Sequence, residues 1–246
     1  MIIKLEDIAF SYGSKLALTV GNATFSPGLT GVLGTNGAGK STLMRVLAGV
    51  AAPSSGHMTV DGADVYQHSN ALIEYRRLLG WVPQEAGIPD HLTVKEFLLY
   101  AAWLKAISKR ATNGVIQQVL EQTQLTFAEH GQVRKLSGGQ KRRVCLAAAL
   151  VGNPRCVILD EPTVGLDPTQ RDNFNNVIAE IAKNCTVLFS THILEDVYEN
   201  ADNICLLRDG NLAAIGPAQP YWSDGNGNPS LAEFKARLFG TVNAKS

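Results

Sequence analysis

The chain begins with apolar and polar residues in partial alternation, a pattern that predicts β-strands with one buried face. Residues 2–10 and 16–25 show this pattern, and residues 11–14 between them predict a turn. A short apolar run at residues 29–33 leads into a glycine-rich loop, and residues 41–48 behind that loop predict a helix. The N-terminal part is therefore predicted to be an antiparallel β unit that runs into a strand–loop–helix unit.

The apolar spacing changes to a helical period from residue 93 to about residue 124. Val94, Leu98 and Ala101 share one face of a first predicted helix, and residues 115–120 indicate a second. The middle of the chain is therefore predicted to be a helical insert of roughly 60 residues.

Beyond the insert, short stretches are apolar throughout, which is typical of strands buried on both faces of a parallel sheet. Helical periods separate these stretches, and a closing hairpin follows. The predicted strands are residues 157–159, 186–189, 204–207 and 212–215, and the predicted helices are residues 170–181 and 194–200. A further strand, at residues 58–60, is predicted before the insert. Residues 223–229 are rich in turn formers, and Ser230 is predicted to cap a last helix over residues 231–239.

These elements place the chain in the α/β class, as a single domain over residues 1–246. A mostly parallel sheet core with an N-terminal antiparallel β subdomain is predicted over about 1–85 and 150–217. An inserted α-helical subdomain is predicted over about 86–149, and a short C-terminal tail over 218–246.

The charge balance argues against nucleic acid as a partner, because 22 basic and 22 acidic residues give no global basic surface. Charges at Lys4 and Glu6 argue against a secretory signal. No segment approaches the ~18 consecutive apolar residues of a membrane span, so we expect a soluble chain. The four cysteines form no C-x-x-C pair and lie in apolar stretches, which predicts reduced core thiols in a cytosolic protein.

Residues 34–41 match the pattern G-x-x-x-x-G-K-[ST] at every fixed position. Glycines let successive backbone N–H groups point at phosphate oxygens, and the following helix adds the positive end of its dipole. Lys40 is predicted to reach the β and γ phosphates, and the Ser41 hydroxyl is predicted to ligate Mg²⁺. The whole predicted cradle comprises Gly34, Thr35, Asn36, Gly37, Ala38, Gly39, Lys40, Ser41 and Thr42. Alone, the loop indicates a nucleotide phosphate and does not separate an ATPase from a GTPase or a kinase.

Two acids, Asp160 and Glu161, follow the apolar run at residues 156–159. In proteins with such a phosphate loop an acid at this place holds Mg²⁺, usually through water, which assigns Asp160 to the metal. The strand pleat relaxes at its end, so Glu161 can reach the same site and polarise an attacking water. An ordinary surface acid pair is the alternative for these residues taken alone.

Residues 136–140 have the sequence Leu-Ser-Gly-Gly-Gln. Ser137 is predicted to cap a helix that runs through Ala149, and Gly138 and Gly139 expose backbone N–H groups at its start. This predicts a second anion site in the same chain. A plain capped helix start is the alternative for the segment taken alone.

With these motifs in this order, the chain resembles the nucleotide-binding domain of ATP-binding-cassette (ABC) proteins over about residues 1–217. The resemblance rests on Tyr12, the phosphate loop at 34–42, Gln84 after Trp-Val-Pro, the signature at 136–140, Asp160 and Glu161 with the loop up to Asp167, and Ser190-Thr191-His192 at a strand end. The chain departs from the commoner family residues at Val164 and at Arg142-Arg143, where we expect no chemical role.

The resemblance implies a P-loop NTPase fold that binds ATP with Mg²⁺. Tyr12 is then expected to stack on adenine, and Gln84 to contact Mg²⁺ and the attacking water. Glu161 is expected to act as the general base, and His192 to hold the γ-phosphate.

The resemblance also implies that ATP lies between two such subunits, which form a homodimer or a heterodimer. The second subunit is expected to contribute Ser137, Gly138 and Gly139, and the nucleotide-binding set includes Gln140 and Asp167. With two phosphate-binding loops in one chain, each loop is expected to serve a different nucleotide.

Transport is the function that the resemblance favours. A polytopic permease subunit is expected to dock beside residues 85–100 and to hold this chain at the cytoplasmic face of the membrane. Residues 79–84 and Lys141-Arg142-Arg143 are similar to those of drug- and antibiotic-exporter ATPases, which favours export over import. A soluble ABC ATPase acting on ribosomes or DNA is the alternative. A GTPase is disfavoured because the chain has no Asn-Lys dipeptide.

Overall fold

The computed structural model describes residues 1–218 and 230–243, so the predicted loop at residues 223–229 lies outside the described residues. Ten strands lie within these ranges: β1 Ile3–Tyr12, β2 Lys15–Phe25, β3 Gly28–Leu33, β4 Ser55–Val60, β5 Ala63–Asp64, β6 Leu79–Val82, β7 Cys156–Leu159, β8 Thr186–Thr191, β9 Asn203–Arg208 and β10 Asn211–Pro217. Eight α-helices join them: α1 Lys40–Leu47, α2 Ser69–Arg77, α3 Val94–Leu104, α4 Lys109–Gln122, α5 Gly138–Leu150, α6 Pro168–Ala182, α7 Leu194–Asn200 and α8 Leu231–Asn243. Short 3-10 turns occupy Thr126–Ala128 and Val133–Lys135.

All ten strands form one sheet in the order β5-β4-β1-β2-β10-β9-β3-β8-β7-β6. Strands β6, β7, β8, β3 and β9 pair in parallel. Strands β1, β2, β4 and β5 pair antiparallel, and the β9–β10 hairpin, also antiparallel, connects the two regions. The predicted α/β class, with a mostly parallel core and an N-terminal antiparallel part, is confirmed.

Neighbouring residues of the parallel strands enter two different hydrophobic cores. Val187 and Phe189 of β8 pack in the core that contains α3 to α8, whereas Leu188 packs in the core beneath β1, β2 and α1. Both faces of these strands are therefore covered, which explains why their sequence is apolar throughout rather than alternating.

Helix α1 lies in the second core, and Leu43, Met44, Val46 and Leu47 are fully buried there. Its N-cap, Gly39, has φ of 96°, a left-handed conformation that favours glycine over residues with a Cβ atom. The buried helix and this turn hold the loop between β3 and α1 in place.

The predicted helical insert at residues 86–149 contains α3, α4 and nearly all of α5. Helix α5 packs closely on β6, since a Cβ atom on Gly80 would lie 2.5 Å from the Ala149 carbonyl oxygen. This close approach places the N-terminal half of α5 near the segment that follows β6.

Several element limits differ from the sequence predictions. Tyr12 ends strand β1 rather than lying in the turn, and the hairpin bend is at Gly13-Ser14. Helix α6 starts at Pro168, because Asp167 caps it and proline suits the first helical turn. Helix α2 was not predicted, since Tyr75 is its one buried residue and its apolar period is weak. Ser230 caps α8 as predicted, accepting the Glu233 N–H at 3.3 Å, and α8 runs to Asn243.

Candidate functional site

The loop between β3 and α1 folds tightly over the end of the parallel sheet. The Ala38 N–H donates to the Thr35 carbonyl at 3.1 Å, and a Cβ atom on Gly34 would lie 2.8 Å from the Leu207 carbonyl oxygen. The N-cap of α1 is Gly39, and no side chain caps the helix there by a hydrogen bond. The first N–H groups of α1 are therefore left for an anion rather than for a capping side chain.

Lys40 is buried at the start of α1, with 5% of its surface exposed. Its Nζ donates to the carbonyl oxygens of Gly34 at 2.9 Å and Thr35 at 3.2 Å. Glu161 Oε1 lies 3.4 Å from the same nitrogen. A buried ammonium group is thus held between the loop and an acid, where it can meet a phosphate oxygen.

Ser41 and Asp160 meet directly beneath the loop. The Ser41 hydroxyl donates to Asp160 Oδ1 at 3.2 Å, although the two residues are 119 positions apart. Asp160 is buried, with 4% exposed. Hydroxyl and carboxylate oxygens are ligands that Mg²⁺ accepts, so this pair fits a magnesium ion next to a bound phosphate.

Glu161 has φ of 45°, a left-handed conformation that is uncommon for a residue with a side chain. Its N–H donates to the Ser190 hydroxyl at 2.8 Å, and that hydroxyl donates to Asp160 Oδ1 at 2.6 Å. The turn of the backbone, held by Ser190, is the reason that two adjacent acids both reach the loop. The sequence predicted that Glu161 reaches the loop because the pleat relaxes at the strand end, but it did not predict this left-handed conformation.

His192 follows the end of β8 and faces the same acid. Its Nδ1 lies 3.5 Å from Glu161 Oε2, and 44% of its side chain is exposed. Glu161 therefore has Lys40 on one carboxylate oxygen and His192 on the other. This arrangement holds the carboxylate in one orientation at the edge of the loop.

A cavity of about 770 Å³ opens above these residues. Most of the predicted nucleotide-site residues line it, namely Tyr12, Asn36, Gly37, Gly39, Lys40, Ser41, Thr42, Gln84, Glu161 and His192. The Tyr12 ring is half exposed, packs edge-on against Phe10, and has its hydroxyl 3.4 Å from Thr42 Oγ1. The Tyr12 ring thus exposes aromatic surface to the cavity next to the phosphate loop.

The segment at residues 136–140 is not part of this cavity, and among its described residues Gly138 lines a separate one of about 440 Å³. Ser137 caps α5 as predicted, in a reciprocal pair with Gln140: Ser137 Oγ accepts the Gln140 N–H at 3.3 Å, and Gln140 Oε1 accepts the Ser137 N–H at 2.9 Å. The Gly139 N–H donates to Gln170 Oε1 at 2.8 Å. The amide of Gln170 in turn donates to Asp167.

The contacts that three residues make at the site were not predicted from the sequence. Ser190 bridges the two acids, Gln170 holds Gly139, and Arg142 Nη1 donates to the Gln84 carbonyl at 2.8 Å. The sequence showed Arg142 as a departure without a chemical role, whereas the structure places its guanidinium on the backbone of a predicted site residue. Its position after the signature was the one available signal.

None of the four cysteines lines the cavity above the phosphate loop, although Cys145 lines the smaller cavity that contains Gly138. Cys145, Cys156 and Cys205 are buried and Cys185 is partly exposed, and all four are free thiols. Burial raises the pKa of Cys145 and of Cys185 to about 11, which keeps these thiols protonated at neutral pH. Among the helices of the described residues, none has the length and apolar character needed to cross a membrane.

A family model described as "ABC transporter" matches residues 21–164. The uncharacterized ABC transporter ATP-binding protein YxlF of Bacillus subtilis is 35% identical over 214 residues, 87% of this chain and 70% of that protein. The Nod factor export ATP-binding protein I of Rhizobium etli is 34% identical over 216 residues, 87% of this chain and 67% of that protein. ATP-binding cassette sub-family A member 13 of Homo sapiens is 37% identical over 191 residues, which span 77% of this chain and 4% of the human protein.

Solved structures share the fold over most of the chain. The structure of cbiO1 from Clostridium perfringens, part of the ABC transporter complex cbiONQ, has a TM-score of 0.81 and 26% identity, over 99% of this chain and 94% of that chain. The dimeric structure of MJ0796, a bacterial ABC transporter cassette, has a TM-score of 0.77 and 25% identity, over 87% of this chain and 98% of that chain.

Proposed function

The chain belongs to the ABC transporter family of ATP-binding proteins, and we propose that it hydrolyses ATP to drive transport through a separate membrane subunit. The observation that carries this proposal is the meeting of Lys40, Glu161 and His192 at the edge of one glycine-rich loop. A general base and two groups that can hold phosphate are what hydrolysis of a γ-phosphate requires.

Binding of ATP is assigned to the loop and its surroundings. The backbone N–H groups of residues 34–42 receive the phosphates, and Lys40 contacts the β and γ phosphates. Tyr12 stacks on adenine, which is supported by its half-exposed ring at the mouth of the cavity. Ser41, with Asp160 and Gln84, would hold Mg²⁺, which would offset the phosphate charge. The direct contact of Ser41 with Asp160 supports this set.

Hydrolysis is assigned to Glu161 as the general base. Its carboxylate takes a proton from the attacking water, while His192 holds the γ-phosphate and Gln84 contacts the water. Contacts of Lys40 and His192 with the two oxygens of Glu161 support the role, because a positioned base is more effective than a mobile one. Lys40 and the N-terminal dipole of α1 stabilise the negative charge that develops on the phosphate.

The complete site is proposed to need a second subunit. Ser137, Gly138 and Gly139 of that subunit close over the γ-phosphate, with Gln140 and Asp167 beside them. The signature residues of this chain lie outside its own nucleotide cavity, which favours their use on a partner's nucleotide. The relative MJ0796 was solved as a dimer. The partner is a copy of this chain or a different cassette.

The test of this proposal is the dependence of ATP turnover on protein concentration. Turnover per subunit of the purified chain with Mg²⁺ is expected to rise as the protein is concentrated, because the active form has two subunits. Binding of a fluorescent ATP analogue is expected to be independent of concentration, because the cradle lies within one chain. A constant turnover per subunit at all concentrations contradicts the shared site, and no turnover with any cassette partner contradicts hydrolysis.

Transport is assigned to a complex with a polytopic permease, which holds the chain at the cytoplasmic face of the membrane. An apolar cavity of about 450 Å³ between the core and α3 offers the docking surface, with Trp81, Ile88, Phe97, Tyr100 and Leu104 among its walls. The relative cbiO1 is part of a transporter complex, and the Nod factor relatives are export proteins. Export is therefore the proposed direction.

The docking surface is tested with Phe97→Asp and Tyr100→Asp, which place charge in the cavity wall. Both variants are expected to keep ATP binding and to lose co-purification with the permease subunit. Exposed Phe127, which lies outside that cavity, provides the control Phe127→Asp. Permease binding that survives both cavity variants contradicts the docking assignment.

A further inference from the structure

Asp196 of α7 is a buried carboxylate that was assigned no role by the sequence. It is 1% exposed, and hydrogen bonds reach both of its oxygens. A buried charge is costly unless it is paired and hydrogen-bonded, so the arrangement of its partners is strongly constrained. The two carboxylate oxygens have different partners.

The Oδ2 atom joins the two loops that carry the proposed hydrolytic residues. It accepts the Thr163 hydroxyl at 2.8 Å and the Thr191 hydroxyl at 3.3 Å. Thr163 lies two residues after Glu161, and Thr191 directly precedes His192. Both threonines are buried. One oxygen atom therefore links the segment after β7 to the end of β8.

The Oδ1 atom fixes the carboxylate to helix α6. Asn175 Nδ2 donates to it at 2.9 Å, and Arg171 Nε lies 3.4 Å away as an ion pair. These contacts are made to the carboxylate oxygen that the two threonines do not contact. With contacts on both oxygens, the carboxylate is held in one orientation.

We propose that Asp196 is a positioning residue for ATP hydrolysis, which acts through Thr163 and Thr191 to hold Glu161 and His192 in their mutual geometry. The separation of 3.5 Å between His192 Nδ1 and Glu161 Oε2 is the quantity that it controls. The inference rests on the proposed hydrolytic function of this site. Asp196 itself touches neither nucleotide nor water in this role.

Loss of the two hydroxyl contacts is expected to affect the chemical step more than binding. The contacts of the Asp196 carboxylate described above do not reach the phosphate loop, so ATP affinity is expected to change little. A shift of the base by about 1 Å can cost on the order of 100-fold in rate. If Asp196 positions the base, its loss is therefore expected to lower kcat without a matching change in KM.

The test compares Thr163→Val, Thr191→Val and the double variant in the full chain, paired with its cassette partner. Valine keeps the branched shape and removes the hydroxyl. At Thr191 it also removes the acceptor of the Ile193 N–H, so Thr163→Val is the variant that removes the Asp196 contact alone. The double variant is expected to lose about 10-fold to 100-fold in kcat, with KM for ATP within about twofold of the original. Thr163→Ser, which keeps the hydroxyl, is expected to retain most of the activity.

Thr30→Val is the matched control, because Thr30 is buried at 1% exposure and its hydroxyl has no hydrogen-bond partner within the described part of the chain. It removes a buried hydroxyl without touching the Asp196 contacts, so kcat is expected to be unchanged. A double variant with the original kcat overturns the inference while the proposed hydrolysis stands. A fall in kcat matched by an equal loss of ATP affinity, or one that Thr163→Ser shares in full, also overturns it. If the original protein does not hydrolyse ATP, the proposed function itself fails, and the inference fails with it.

Discussion

Helices α1 and α5 both begin at glycines, Gly39 as the N-cap of α1 and Gly138 and Gly139 as the first residues of α5, yet their N-termini are in opposite states. The start of α1 at Gly39 has no side-chain cap, and it opens into the large cavity. The start of α5 is capped reciprocally by Ser137 and Gln140, and the Gly139 N–H is bound to Gln170. Two helix starts with similar glycine content therefore differ in whether their donors are available.

The difference teaches that a helix start binds an anion only if its own side chains leave the donors free. The loop before α1 keeps them free because its helix is stabilised by burial in the core instead. The loop before α5 is more exposed, and its cap supplies stability. A phosphate at α5 must compete with Gln170 for the Gly139 N–H, whereas a phosphate at α1 meets no such competitor.

The largest expected effect is on the acid beside α1. Glu161→Gln keeps the size of the side chain and removes the base, so turnover is expected to fall by on the order of 10²–10⁴-fold. ATP binding is expected to persist, and the dimer with ATP to accumulate, which gel filtration in the presence of ATP measures. Glu180→Gln, at a side chain that is exposed on α6, is the control. Unchanged turnover in Glu161→Gln excludes this residue as the base.

A second prediction concerns the charge inside the cradle itself. Lys40→Ala removes charged hydrogen bonds to phosphate, each worth roughly 1.5–3 kcal/mol, so nucleotide affinity is expected to fall by about 10-fold to 100-fold. Titration of the variant with a fluorescent ATP analogue measures this. Lys183→Ala changes a lysine whose side chain is 66% exposed, and it is expected to bind as the original does. Full affinity in Lys40→Ala is incompatible with the cradle assignment.

The smallest expected effect is on the signature. A Cβ atom on Gly139 would lie 2.3 Å from Gln170 Oε1, so Gly139→Ala displaces the Gln170 side chain. The added methyl group also takes up space at the N-terminus of α5. Turnover by the dimer is expected to fall about 10-fold, because donors to the partner's phosphate are misplaced, while ATP binding by one chain is unchanged. Gly114→Ala in α4 meets no atom within 4 Å and is the matched control. A loss of ATP binding in Gly139→Ala places the signature in the chain's own site and breaks the comparison.

Much of the fold could be predicted because the patterns are local. The apolar runs marked β7 and β8, and the capping residues Ser137 and Ser230 marked two helix starts. Helix α2 could not be predicted in this way, since its one buried residue, Tyr75, leaves no periodic stripe. The place of Tyr12 at the end of β1 depends on pairing with Lys15 across a tight hairpin, which composition does not reveal.

The sequence by itself determined the family, the α/β class and the phosphate loop, because these depend on short spacings and on a fixed order of motifs. Only the tertiary structure decided how the candidate site is held together. Ser190 joins Asp160 to Glu161, and Asp196 joins Thr163 to Thr191, through side chains that lie up to 33 positions apart. No local pattern encodes such contacts, because parallel strands bring together residues that whole helices separate along the chain.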